Sequence, residues 1–440
     1  MSVVPFYLYP PERFSLYTDC EKDTLSDPKH GNALLFIQRL REHRWRVSDI
    51  KAAAVAVVPA LLDWFANGLC GRKSGSLRWN HLKNLTLEVN ATYAKTRHLL
   101  IAADWQSFQY LPLLRASFRE MIFGTYLGPQ PRGSTLLWPK QLGQNCTFAI
   151  GYLANYDAYA VDAPWHNVHQ YKTREERKFL GLGEPSIQSQ PIPYVDVTAR
   201  RTINFEFIGA IHNRSWFFKD RWMLFHHASK LGAGNIIITS SPPAVSDVRP
   251  CEGPRDELYC HRLISRHETQ RIRAVARFSI FMRGEDLTSD RLVNALTALQ
   301  IPVLVGSDTL SVLPFPFAVP WHRLVVVVHR HVFRADPVAA LANATSTLTD
   351  QDIEERRRLI TMHLPDVIWN VLGSRVHENI LLAAAGCRCG PMASWAGRPI
   401  ESSGLGESER PWYQQADAEA PRVRERGAVG PAGGRDSSVL

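Results

Sequence analysis

The chain has little of what announces several common chemistries. Its 440 residues include only seven cysteines: Cys20, Cys70, Cys146, Cys251, Cys260, Cys387 and Cys389. An odd number cannot all pair within one chain, and they are too sparse to staple a fold of this size, which excludes a disulfide scaffold. Cys251 and Cys260 are close enough to close a small loop in an oxidising compartment. Cys387 and Cys389 have C-x-C spacing with no matching pair nearby, which does not fit a structural zinc site. There is no Gly-rich loop ending in Lys-Ser/Thr, so the chain is not a P-loop nucleotidase, and no G-x-G-x-x-G follows a strand to bind a dinucleotide. Long basic runs and zinc-finger spacings are missing too. The formal net charge of +9 would attract a nucleotide diphosphate, an acidic glycan or a nucleic acid alike, and for a nucleic acid nothing else speaks. The apolar stretch from Lys51 to Leu62 is too short to span a bilayer and is broken by Pro59. The opening Met-Ser-Val-Val-Pro-Phe lacks a basic region followed by a sustained apolar segment. The expectation is that the protein enters no membrane, or that this sequence starts downstream of a targeting segment.

What is present is a globular balance, 45% hydrophobic and 21% charged, in a chain long enough for two sizeable domains. Five N-x-S/T sequons begin at Asn84, Asn90, Asn145, Asn213 and Asn343, a number that leans toward the secretory pathway without settling it. Phe6 to Tyr9 reads as a strand stopped by two prolines, and Asn32 to Glu42 has helical periodicity. Ala52 to Val58 is a buried strand or a short helix. His98 to Ala103 is a buried strand with Asp104 directly after it. Pro185, Pro191 and Pro193 mark a boundary. A second α/β pattern then opens with a strand at 204–208, a helix at 221–230 and a strand at 235–239. The clearest unit is a strand at 278–282, a polar turn, a helix from Thr288 or Ser289 to about Leu299, and a strand at 302–305. A strand is expected at 324–328, and Thr349 caps a helix from Asp350 with Asp352 three residues on. Domains are therefore placed at 1–195 and 196–375, with an extension at 376–440 expected to be mostly disordered beyond about 390.

One constellation suits an anionic ligand. Unpaired N–H groups at a helix start, together with a guanidinium fork, can hold a diphosphate. Arg283 and Gly284, the cap at Thr288/Ser289, and Arg291 in the first turn supply both. Arg214 and Arg221 flank Trp216, Phe217 and Phe218, where phosphate and ring contacts would lie side by side; a helix with an apolar face and exposed arginines fits the same residues. A transfer to a hydroxyl needs a general base. Asp104, just past an apolar strand, is the first candidate, with Asp162 and His166 behind it; a strand-end aspartate can equally be a turn or helix cap.

These residues sit in a run that resembles the exostosin-like glycosyltransferase family. Ala276-Arg277-Phe278-Ser279-Ile280-Phe281-Met282-Arg283-Gly284, then Ser289-Asp290-Arg291-Leu292-Val293-Asn294-Ala295-Leu296, then Ile301-Pro302-Val303-Leu304-Val305 and Leu313-Pro314-Phe315 are similar to the family's strand, glycine loop, Arg-Leu helix, second strand and Leu-Pro-Phe in order and spacing. Phe6 to Pro10, Arg97 to Trp105, and Phe205 to Gly209 with Arg221 resemble it more loosely. The resemblance implies an α/β, GT-B-like fold of two Rossmann-like domains facing an inter-domain cleft, inversion at the anomeric carbon, and no cofactor or obligatory metal. It implies a nucleotide-sugar donor, a UDP-sugar first, a glycan or glycoconjugate acceptor, a possible paralogous glycosyltransferase partner, and a Golgi or secretory-pathway lumen. Donor roles fall on Arg221, Arg283, Gly284 and Arg291, with Arg214, Ser289 and Asn294 as further candidates. Departures stand out: Ser279 and Gln300 replace a pair of cysteines, Leu299 a glycine, and Asn294 an acid that would hold a ribose hydroxyl. They open the alternative of an inactive glycan-binding or partner-activating protein on the same fold.

Overall fold

The computed structural model describes residues 3–21, 32–66, 96–103, 121–125, 147–151, 201–209, 219–232, 234–239, 259–261, 266–283, 289–369 and 373–386, with isolated positions at 80, 83–85, 87, 107 and 371. The first half contributes β1 (Phe6–Leu8), α1 (Ser15–Glu21), α2 (Asn32–Leu40), β2 (Val55–Val57), α3 (Leu62–Ala66), β3 (His98–Ile101), β4 (Met121–Thr125) and β5 (Thr147–Ala149). Its strands form one parallel sheet in the order β1-β2-β3-β4-β5. Val55–Val57 resolves as a strand: two β-branched valines flank a small residue, and all three are buried. Strands this apolar need cover on both faces. Their core includes Phe6, Phe36, Trp64, Leu99 and Phe123.

The second half contributes β6 (Ile203–Gly209), α4 (Lys219–His227), β7 (Ile236–Thr239), β8 (Tyr259–His261), α5 (Arg266–Val275), β9 (Ala276–Met282), α6 (Asp290–Thr297), β10 (Ile301–Val305), α7 (Trp321–Leu324), β11 (Val326–Val328), α8 (Arg330–Ala335), α9 (Pro337–Ser346), α10 (Asp350–Val367) and α11 (Val376–Gly386). All six strands are parallel, in the order β8-β7-β6-β9-β10-β11. Strand order therefore reverses between β6 and β9, as in doubly wound sheets. Two Rossmann-like α/β halves, the expected fold class, are present.

Local chemistry explains the elements around the reversal. Ser289 is the cap of α6: its hydroxyl accepts the Arg291 N–H at 3.3 Å. The helix buries Leu292, Val293 and Leu296 against Leu304, Trp321, Leu364 and Ile368. Its exit passes through Leu299 at φ 51°, with Leu299 N–H donating to Leu296 and Gln300 N–H to Ala295. Thr349 forms a reciprocal capping box with Asp352. The strand expected at 324–328 is shorter. Pro320 precedes a helical turn that ends at Leu324, and the Trp321 indole N–H, donated to Pro314 at 2.7 Å, holds that turn closed.

The last helix returns to the first half. Ile380, Leu381 and Ala384 of α11, with Trp369 and Phe315, belong to the core of the first sheet. Trp369 donates its indole N–H to Gly151 at 2.9 Å, and Arg39 donates to the Trp369 carbonyl at 2.6 Å. Among the described residues no helix is long and apolar enough to cross a membrane.

Candidate functional site

In a parallel sheet the strand carbonyl ends open a crevice where strand order reverses, because the flanking connections leave to opposite sides. That point here lies between Gly209, the last residue of β6, and Met282, the last of β9. The Glu206↔Ser279 pairing, continued by three residues, sets the two level. Arginines collect at this place. Arg221, in the first turn of α4 and 3% exposed, donates to the Met282 carbonyl at 3.2 Å. Its guanidinium lies 5.8 Å from the Phe207 ring centre, and that of Arg291 lies 5.5 Å from the same ring. Arg283 directly follows β9 and is half-buried. Two guanidiniums over one ring repel each other, and an anion between them would convert that repulsion into attraction.

Arg291 reaches the end of β6 only because residue 209 is glycine. A methyl there would stand 2.8 Å from the Arg291 Cζ. Asn294 is one helical turn beyond Asp290 and Arg291, on the same face of α6, and is buried at 4%. Ser289, Leu292, Val293 and Leu296 line a small apolar recess together with Ile150, Gly151, Pro314, Trp321 and Val367. The cap of α6 thus lies where the end of β5 meets the second half. Arg214, Gly284, Asp104, Asp162 and His166 lie outside the described residues. Of the expected donor residues, Arg221, Arg283 and Arg291 fall at the strand reversal, while Ser289 caps α6 beside the recess and Asn294 is buried within α6.

Two groups escaped the sequence reading. The first is Asp63, fully buried in α3. Its carboxylate accepts the Ala103 N–H at 3.0 Å and the Ser107 hydroxyl at 2.5 Å, which ties α3 to the end of β3. Its signal was an acid within Leu61-Leu62-Asp63-Trp64, an apolar run with no other reason for one. The second lies at the ends of β10 and β11. Arg330 forks onto Asp308 at 3.0 and 2.9 Å and reaches Asp220 at 3.0 Å, while Arg334 reaches Asp220 at 2.6 Å. Burial opposes the Arg330 charge, but its bonds to Asp308 and the fields of Asp308 and Asp220 outweigh it and hold its pKa above the usual arginine value. Ser279 donates to the buried Glu206 at 2.6 Å.

His43, His377 and Glu378 bring three ligand-type atoms within 4.8 Å of one another. The bonding does not suit a metal. His43 Nδ1 accepts the Trp45 N–H at 3.2 Å, so the ring proton sits on Nε2, 3.3 Å from Glu378. A metal at Nε2 would force that proton onto Nδ1, against an N–H that already donates there. Arg44, 3.6 Å from Glu378, adds repulsion. The group ties α11 to the loop after α2. Burial, then the electrostatic effects of Arg39 and the His43 ring, push the His377 pKa down to about 3.

No family model and no curated protein matches the chain. Among solved structures it is similar to a glycosyltransferase from Rickettsia africae, at 9% identity over 86% of this chain and 97% of that one, TM-score 0.38. It is similar also to WaaG, a glycosyltransferase involved in lipopolysaccharide biosynthesis, at 10% identity over 87% and 99%, TM-score 0.35. A UDP-N-acetylglucosamine 2-epimerase aligns at 8% identity over 86% and 94%, TM-score 0.32.

Proposed function

We propose that the chain is an inverting glycosyltransferase that moves a sugar from a nucleotide-sugar, a UDP-sugar first, to a hydroxyl of a glycan or glycoconjugate. The observation that carries this is the placement of Arg221 and Arg291 over Phe207 at the strand reversal, beside the capped start of α6. A diphosphate leaving group needs positive charge that is already in place when its bond breaks. Arg221, Arg283 and Arg291 supply it, with the N–H groups of α6 adding the positive end of a helix dipole. The acceptor oxygen attacks the anomeric carbon from the face opposite the diphosphate and its proton passes to the base. The bond to the diphosphate breaks, and the nucleotide leaves with that electron pair. Asp104 is the assigned base, with Asp162 and His166 the alternatives. The guanidiniums carry the charge that a metal would otherwise carry, so no cofactor is assigned.

The exostosin-like family and a secretory-pathway lumen belong to this reading. Cys20 is disulfide-bonded, which fits an oxidising compartment, and Asn84 and Asn343 stand exposed within sequons. Asn294 favours a second reading. It is buried where an acid would meet a ribose, and it can hydrogen-bond without supplying charge. An inactive glycan-binding or partner-activating protein would keep the crevice and lose turnover. The test is calorimetric titration of UDP and GDP, followed by donor and acceptor panels monitored for nucleotide release. UDP binding with transfer is expected. Binding without release from any pair selects the second reading, and no binding of either nucleotide overturns both the donor assignment and the enzyme.

A further inference from the structure

The four-membered network at the ends of β10 and β11 is balanced in charge, two arginines against two aspartates, so it does not itself call for an anion. Its construction points elsewhere. Asp220 is 3% exposed and occupies the first turn of α4, immediately before Arg221. Arg330 and Arg334, both from α8, converge on it from the same side. Arg330 extends the brace to Asp308, in the turn after β10, and lies across Gly306. That glycine has φ 107°, and a Cβ on it would stand 2.5 Å from the Arg330 Nη2. A left-handed glycine under a guanidinium leaves one place for the fork, and the fork leaves one place for Asp220. The start of α4 is thereby tied to the β10 turn by side chains alone. The next residue along the helix is the one that donates to the end of β9.

We infer that Arg330 is a positioning residue of the anion crevice: through Asp308 and Asp220 it fixes the first turn of α4 and so holds Arg221 against the strand reversal. This rests on the nucleotide-diphosphate reading of that crevice. Arg330 does not touch the ligand; it acts through Arg221. A lysine cannot replace it, because an ammonium cannot fork onto one carboxylate while reaching a second in a fixed direction.

The test uses the full chain with Arg330→Met, Arg330→Lys, Arg221→Met and the Arg221→Met/Arg330→Met double variant, with UDP as the probe. Arg330→Met is expected to weaken UDP binding roughly tenfold. Arg330→Lys should restore little of it, and the double variant should bind no more weakly than Arg221→Met alone. Deuterium uptake should rise over 219–227 and over the 306–312 turn. If Arg330→Met does not fold, Asp220→Asn/Arg330→Met, which removes the buried charge left with Arg334 as its one remaining arginine partner of the brace, is measured in its place. Full rescue by lysine, multiplying losses in the double variant, or wild-type UDP affinity in Arg330→Met overturns the inference. If the wild type binds neither UDP nor GDP, the proposed function fails on its own. The brace is then judged by deuterium uptake, and unchanged uptake over 219–227 overturns it.

Discussion

Gly209→Ala separates the arginine crevice from the fold that carries it. The added methyl would stand 2.8, 2.9 and 3.0 Å from the Arg291 Cζ, Nη1 and Nη2, the first two closer than real Cβ contacts come and the third tighter than most. The obstacle is the far end of a flexible side chain and not backbone, so the guanidinium moves and the strand stays. Gly209 is not among the glycines with left-handed φ, so alanine meets no backbone strain. Losing the Arg291–Phe207 contact costs about 0.5–1 kcal/mol. Alanine's smaller unfolded-state entropy offsets this by about 0.4–1 kcal/mol. Net stability should therefore change by less than about 1 kcal/mol, and Tm by a few degrees. The effect on the ligand is larger, because a charge-assisted hydrogen bond to phosphate contributes about 1.5–3 kcal/mol, or roughly 10- to 150-fold in affinity. UDP titration beside a thermal melt, at one salt concentration because the attraction is screened, reads both quantities. Unchanged UDP affinity in a folded Gly209→Ala protein would show that Arg291 does not serve the ligand from beside β6. A melt lowered by many degrees would show that the strand gave way instead.

Gly151→Ala should behave in the opposite manner. There the added methyl would run into the Val367 carbonyl, which is backbone and cannot swing aside. Overpacking of this kind costs about 1–3 kcal/mol, so the melting temperature should fall clearly below that of Gly209→Ala, and a wild-type melt would refute the contact. A pH dependence follows from His377, whose pKa lies at about 3 instead of the ordinary 6.5. The fold favours the neutral ring, so this contribution is whole above pH 6.5 and is lost as the pH falls from 6.5 toward 3. By pH 5 the loss is about 2 kcal/mol. Arg39 of α2, His43 and Arg44 of the next loop, and Glu378 on the same helix surround the ring, and the cations among them reinforce the effect. Urea midpoints at pH 7.5 and pH 5 should lie closer together in His377→Gln than in the wild type; an equal gap in both proteins assigns the acid sensitivity to other groups.

How much could be read beforehand varied with the range of the interaction. The unit from β9 to β10 was legible because everything that makes it is local: an apolar strand, a serine cap, a helix with one buried face and a second apolar strand within about thirty residues. The capping box at Thr349 was legible for the same reason. Strand order was not, since the reversal between β6 and β9 depends on which side each connection leaves, and no residue pattern carries that. Arg221 and Arg291 were found as residues, but their meeting over Phe207 was not. The return of α11 to the first core, joining residues more than 300 positions apart, left no periodic trace. Leu299 is instructive. A glycine would suit φ 51°, and leucine there costs about 1–2 kcal/mol. Yet its side chain is only 2% exposed, and burying a leucine contributes about 1.5–3 kcal/mol. The left-handed leucine is thus sustained by packing that the linear pattern does not show.

The two sheets differ in topology. Among the described strands the first sheet runs in sequence order, so it has no reversal and no crevice of the kind that receives a diphosphate. At its strand ends a buried carboxylate, Asp63, accepts the Ala103 N–H and the Ser107 hydroxyl. The arginines lie in the half whose strands reverse, and the buried carboxylate of Asp63 lies in the half whose strands run in order. Gly151 and Trp369 join the halves beside the recess that the α6 cap also lines. The joint therefore lies next to the start of α6, so a disturbance at Gly151 should reach Ser289 before it reaches Arg221.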